Sequence, residues 1–94
     1  MAETKSINNI VIRLTNERWQ HILNAHIELE NEVDAVLNTV SNPDYVIKGT
    51  EEELLAAIYK YENKMLVVVY KEEKEDGFII TAYYTSKIDK LLKK

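Results

Sequence analysis

The sequence predicts an α+β fold: two N-terminal helices packed on a mainly antiparallel four-stranded sheet, with a short strand before the helices and a short helix after the sheet. Apolar residues between Asn16 and Val40 recur at the i, i+3, i+4, i+7 spacing of a one-sided helix, whereas those after Asp44 follow strand spacing. Between the two regimes stands the strongest punctuation of the chain, Ser41-Asn42-Pro43-Asp44, with weaker breaks at Gly49 and Gly77. Consecutive strands without crossover helices call for antiparallel pairing and exclude a doubly wound parallel sheet.

The first strand is read within Ile7 to Leu14, where Ile10-Val11-Ile12 and Leu14 are rich in β-branched side chains. Thr15 is a good N-cap, and Leu14 with Trp19 has the spacing of a hydrophobic staple, so a helix starts at Asn16. Trp19, Ile22, Leu23 and His26 form its apolar stripe. A second helix, with Asn31 as candidate cap, carries Val33, Val36, Leu37 and Val40 and ends before Asn42-Pro43.

The strands are expected at Tyr45-Val46-Ile47, Leu54 to Tyr61, Met65 to Lys71 and Phe78 to Thr85. Glu51 to Ala57 are helix formers, yet Ile58, Tyr59 and Tyr61 follow directly and favour a strand. Glu62-Asn63-Lys64 reads as a hairpin turn, and Glu72 to Gly77 as a charged connector in which Asp76-Gly77 supplies a positive φ. Ser86 can cap a last helix with Ile88, Leu91 and Leu92 on one side. Symmetric hairpins place Tyr59, Val69, Lys71, Thr81, Tyr83 and Thr85 on one sheet face. Ile58, Leu66, Val68, Phe78, Ile80 and Ala82 then share the other, which is the better core. The helices should cover that core face and leave the first one open.

With 94 residues the chain has room for one domain, spanning 1–94 with an ordered core of about 7–92. Hydrophobic residues at 46% and charged residues at 30%, with two Gly and one Pro, describe a folded globule and not a linker or tail. The absence of cysteine excludes disulfides, thiolate metal sites and a cysteine nucleophile. The longest apolar run, Met65 to Tyr70, is far shorter than the roughly 20 residues of a membrane span. The N-terminus lacks the apolar stretch of a signal peptide, so a cytoplasmic protein with no membrane contact is expected. The net charge of −4 argues against holding a polyanion by bulk electrostatics. Lys87, Lys90, Lys93 and Lys94, against Asp89 alone, are a local exception.

Few residues carry chemistry. His26 sits at the C-terminal end of its helix, where free carbonyls and the helix dipole favour a protonated ring suited to a general acid; the competing and plainer reading is a core or rim histidine bonded to a carbonyl. His21 cannot share its helix face, so no two-histidine metal site forms there, and neither metal nor cofactor is expected. The six tyrosines suit half-buried sheet positions, and an aromatic on a sheet face also suits base stacking. The acidic clusters Glu51-Glu52-Glu53 and Glu72-Glu73-Glu75-Asp76 flank turns and read as solvated. No glycine-rich phosphate loop and no Gly-x-Ser-x-Gly is present.

Four stretches carry a resemblance: Arg13-Leu14-Thr15-Asn16-Glu17-Arg18-Trp19-Gln20-His21-Ile22 leading to His26, then Asn42-Pro43-Asp44, Leu66 to Tyr70, and Ile79 to Tyr83. Over about Ile10 to Lys87 the chain resembles the small phage- and mobile-element-associated domains of the barnase–EndoU–colicin–RelE-like nuclease superfamily. The resemblance implies a metal-independent ribonuclease, a toxin or a phage-derived nuclease, in which the 2′-hydroxyl of the RNA is the nucleophile. It casts His26 as acid or base, and Thr81 and Tyr83 as phosphate-binding or proton-orienting groups. Lys71, or else Lys60, would stabilise developing charge, an assignment that follows from strand faces. Tyr59, Lys60, Thr85 and Lys87 are the expected substrate contacts. The partners implied are RNA and, for a toxin, a cognate inhibitor protein.

Because His26 points to the core side while Thr81 and Tyr83 point away, they meet only where the helix end overhangs the sheet edge. Two rival readings stand beside the nuclease. One is a non-catalytic binding module, immunity- or antitoxin-like or RNA-binding, that uses the open sheet face; the other is a homodimer that buries Tyr59, Val69 and Tyr83.

Overall fold

The computed structural model describes residues 2–61, 63–74 and 76–92. Ten elements follow one another: β1 (Ala2–Lys5), β2 (Val11–Leu14), α1 (Asn16–Ala25), a 3₁₀ turn (Ile27–Leu29), α2 (Val33–Ser41), β3 (Tyr45–Lys48), β4 (Leu54–Tyr61), β5 (Lys64–Glu73), β6 (Asp76–Thr85) and α3 (Ile88–Leu92). The strands form one six-stranded mixed sheet in the order β1-β2-β6-β5-β4-β3. This corrects the expected four-stranded antiparallel sheet in two ways. An N-terminal hairpin, β1–β2, adds two strands, and β2 joins the sheet parallel to β6 through Val11–Arg13 against Asp76–Phe78. No helix among the described residues is long and apolar enough to cross a membrane.

The N-terminal hairpin turns at Asn9, whose φ of 64° an asparagine tolerates better than most residues. Glu72 then ties the turn to β5, accepting hydrogen bonds from the Ser6 hydroxyl and, at 3.0 and 3.2 Å, from Asn8 Nδ2. Glu72, half-buried, is therefore a structural acceptor as well as a surface charge. Glu75 of the same acidic stretch lies outside the described residues, as do Glu62 of the hairpin turn and Lys93 and Lys94.

Thr15 caps α1 as expected, its hydroxyl accepting the Arg18 N–H at 3.1 Å. Asn31 does not cap α2. It holds φ 68° and Glu32 takes the cap position. Packing over one sheet face, Ile22, Leu29, Val36 and Val40 meet Ile12, Leu14, Ala56, Leu66, Val68, Tyr70, Ile79 and Ala82 in the main core. The other face is not open, as expected, but carries a second core: Leu55, Ala57, Met65 and Val67 lie under Leu91, with Ile88 beside them, so α3 covers it. At the start of α3 the Thr85 hydroxyl accepts the Lys87 N–H at 3.1 Å, a role expected of Ser86.

The face assignment along β6 shifts at a bulge. Val69 pairs with Thr81 but Tyr70 pairs with Ile79, leaving Ile80 as an extra residue. Beyond it the alternation reverses: Ile79 and Gly77 point inward, while Phe78, expected in the core, is 41% exposed on the other face. Gly77 itself has no positive φ; the left-handed residue of the β5–β6 turn is Lys74, at φ 54°.

Candidate functional site

His26 leaves α1 as its C-cap. Its N–H still donates to the Ile22 carbonyl at 2.8 Å, but its own φ and ψ, −138° and 68°, turn the chain out of the helix. It therefore occupies no core stripe. Its side chain is 33% exposed, with Nδ1 3.6 Å from Glu28 Oε2, a carboxylate delivered by the following 3₁₀ turn.

Tyr83 stands opposite Val67 and packs against the second core, so its side chain belongs to the face away from α1 and α2. The rings of His26 and Tyr83 nevertheless approach to 6.1 Å between centroids, tilted by 36°. The ladder between β2 and β6 stops at Phe78, and among the described residues no strand pairs with that flank of β6 beyond it. The end of α1 overhangs this flank, which is the geometry the two residues require. Burial raises the pKa of the Tyr83 phenol, which keeps it a neutral donor.

Tyr83 also lines a hollow of about 140 Å³ with Thr85, Lys87, Lys90 and Leu91. On the helix side of the same strand end lies a second hollow of about 540 Å³, lined by Glu28, Glu32, Lys64, Tyr84, Thr85 and Ser86. The Tyr84 hydroxyl donates to Glu32 Oε1 at 2.6 Å, Lys60 Nζ stands 3.9 Å from that oxygen, and Lys64 Nζ lies 5.6 Å from the Tyr84 ring centroid. Thr85 belongs to both hollows. Four lysines thus gather at one end of an acidic chain, Lys60 and Lys64 on one side of β6 and Lys87 and Lys90 on the other.

The expected site residues divide accordingly. Tyr83 is the common member: His26 meets its ring, and Thr85 and Lys87 share its hollow. Thr81 shares the face of Tyr83, about 7 Å away at two residues along the strand. Tyr59 is in the same cross-strand row as Thr85, through Met65, but two strands away. Lys60 is at the same end on the opposite face, engaged with Glu32. Lys71 is not at this site: it is four steps along β5 from Val67, the partner of Tyr83, about 13 Å away, and lines a different hollow with Asn8, Lys48 and Glu72. The sequence reading missed Glu28, Glu32, Lys64, Tyr84 and Lys90. Glu28 carried one usable signal, its position two residues beyond the helix-end histidine.

Among the described residues no group of three or more His, Asp or Glu is placed to hold a metal ion. No protein-family model matches the chain, and no curated protein or solved structure matches it.

Proposed function

We propose that the end of β6 binds RNA in the cytoplasm and cleaves it without a metal ion. In such a reaction the O2′–P bond forms as the P–O5′ bond breaks. One proton leaves the 2′-oxygen and one reaches the 5′-oxygen, giving a cyclic phosphate and a 5′-hydroxyl end. His26, the only imidazole at the site, acts as acid or base on one of these protons. Its neighbour Glu28 places a carboxylate oxygen 3.6 Å from Nδ1, within ion-pair reach of the ring. Tyr83, held neutral by burial, donates to a phosphoryl oxygen, and Lys87, in the same hollow, offsets the charge of the phosphorane. The carrying observation is the approach of His26 and Tyr83 across the unpaired flank of β6.

Incubating a mixed RNA with the protein in EDTA tests this. Cleavage leaving cyclic phosphate ends is expected, falling by about 100-fold or more in His26→Ala, the usual scale of general acid–base catalysis, with the circular dichroism spectrum retained. Equal rates in the two proteins would remove His26 from the mechanism. No cleavage by either would favour the second reading, a non-catalytic binding module, which the net charge of −4 supports.

A further inference from the structure

Tyr45 and Tyr59 form a second feature of this sheet end. They lie diagonally on adjacent strands, Tyr45 opposite Ala57 and Tyr59 two residues further along, with ring centroids 6.0 Å apart and planes at 73°. Both rings are well exposed, 40% for Tyr45 and 46% for Tyr59, on the face whose central apolar residues α3 covers. Their backbone is fixed: the Tyr59 N–H donates to Asp44 Oδ2 at 3.0 Å, and the Asp44 N–H to the Ala57 carbonyl at 2.9 Å. An edge-to-face pair occupies only part of its π surface, so a flat group can stack on what is left.

We propose that Tyr45 and Tyr59 form a stacking subsite for a nucleobase of single-stranded RNA whose phosphates lie over Lys87 and Lys90. The proposal rests on the RNA-binding reading above and names its substrate as unpaired RNA. Tyr59, Met65 and Thr85 stand in one cross-strand row, so the Tyr59 backbone is two strand spacings, about 10 Å, from that of Thr85. The charges along this row are sorted. Lys87 and Lys90 border the Tyr83 hollow, whereas Asp44 and Asp89 lie near enough to Tyr59 to raise its phenol pKa, after the larger effect of its hydrogen bond with Tyr45. Phosphate is favoured at the first end and repelled at the second, which suits an uncharged planar base. Every base has a π face, so the subsite tolerates all four and rejects duplex RNA, whose bases are already stacked.

The test is the binding of two fluorescein-labelled strands of equal length at low salt, read by anisotropy. One is a mixed-sequence 2′-O-methyl RNA, which cannot be cleaved because its nucleophile is blocked; the other is an abasic backbone. The Tyr45→Ala/Tyr59→Ala variant is expected to bind the base-bearing strand about 10- to 100-fold more weakly and the abasic strand as before, while Tyr59→Phe, which keeps the π face, retains binding. Unchanged binding of the base-bearing strand, an equal loss on both strands, or no binding by the unsubstituted protein would each overturn the subsite. Cleavage of RNA with tyrosine-independent binding would leave the nuclease standing without it, and tyrosine-dependent binding without cleavage would do the reverse.

Discussion

Replacing Gly77 by alanine probes the place where the N-terminal hairpin joins the sheet. Gly77 is clamped on both sides, with Ile12 of β2 and Glu72 of β5 as its Cα partners. A Cβ there would press on the Lys71 carbonyl oxygen and stand 2.7 Å from Ile12 Cδ1 and 3.2 Å from Glu72 Cα. None of these neighbours yields easily, because the carbonyl is backbone and Ile12 is fully buried in the main core. Overpacking of this kind costs about 1–3 kcal/mol, and the backbone clash puts Gly77→Ala at the upper end. The smaller unfolded-state entropy of alanine returns about 0.4–1 kcal/mol, leaving a net loss of about 2 kcal/mol. For a domain of this size that is a fall in Tm of about 8–16 °C, measurable by thermal and urea unfolding. Gly49→Ala is the control. The three atoms nearest its Cβ all belong to the carboxyl end of Glu53, a side chain that can swing aside at the loss of one exposed hydrogen bond to the Glu51 N–H, so the cost stays below about 1 kcal/mol. A Gly77→Ala loss no larger than that of Gly49→Ala would refute the reasoning.

Tyr70 is fully buried with a hydroxyl that has no hydrogen-bond partner, and burial, helped by the charge of Glu72, pushes its pKa up to about 12. Tyr70→Phe removes an unsatisfied group, so at neutral pH the unfolding free energy from urea titration should hold or rise, by up to about 1 kcal/mol; a clear loss would show that the hydroxyl is bonded. The folded pKa exceeds the unfolded value of about 10, so the unfolded state releases its proton first. This contribution is complete below about pH 10 and is lost as pH rises toward about 12, a decline that Tyr70→Phe should lessen. Asp76 has the opposite sign. The Gly77 N–H, and after it Arg13, whose Nε donates at 3.0 Å, hold its carboxyl below the usual range. Its contribution is present above the unfolded pKa of about 4 and disappears as pH falls through the lower folded value, so Asp76→Asn should flatten the acid limb of the urea midpoint. An unchanged slope would show that Asp76 does not contribute to it.

What the sequence discloses and what it conceals follow from the range of each signal. The start of α1 at Asn16 under a Thr15 cap and the extent of β4 are local matters of capping and alternation, and both were legible. The first strand, Ala2-Glu3-Thr4-Lys5, was not, because it has a single apolar residue and becomes a strand through its ladder with β2. The bulge at Ile80 leaves the composition of β6 unchanged while reversing its phase, so strict alternation counted back from Ala82 put Phe78 in the core and missed Ile79. Lys71 was misplaced for a different reason: it lies on the face of Tyr83 but at the far end of the sheet, a distinction that face counting cannot make. The apolar side of α3 was visible as Ile88, Leu91 and Leu92, but not that Leu91 would close the face assumed to be open.

The meeting of His26 and Tyr83 has a simple geometric cause. β2 ends at Leu14, one residue past the last pair of its ladder, Arg13 with Phe78, and α1 begins at Asn16. The chain therefore enters the helix at the level of β6 where strand pairing on that flank stops. Ten helical residues at 1.5 Å each advance it about 15 Å, while β6 from Phe78 to Tyr83, which pairs with the four steps from Lys71 to Val67 because Ile80 is an extra residue, advances about 13 Å. The two advances are similar, and at the end of α1 the His26 ring lies 6.1 Å from that of Tyr83. There the turn at His26 carries its ring to a flank that no strand covers among the described residues, beside Tyr83. The overhang is thus set by the shortness of β2 and the length of α1, two features remote from any motif. The same end receives Lys87 and Lys90 because α3 starts as soon as β6 ends, which puts cations beside the only imidazole–phenol pair of the described residues.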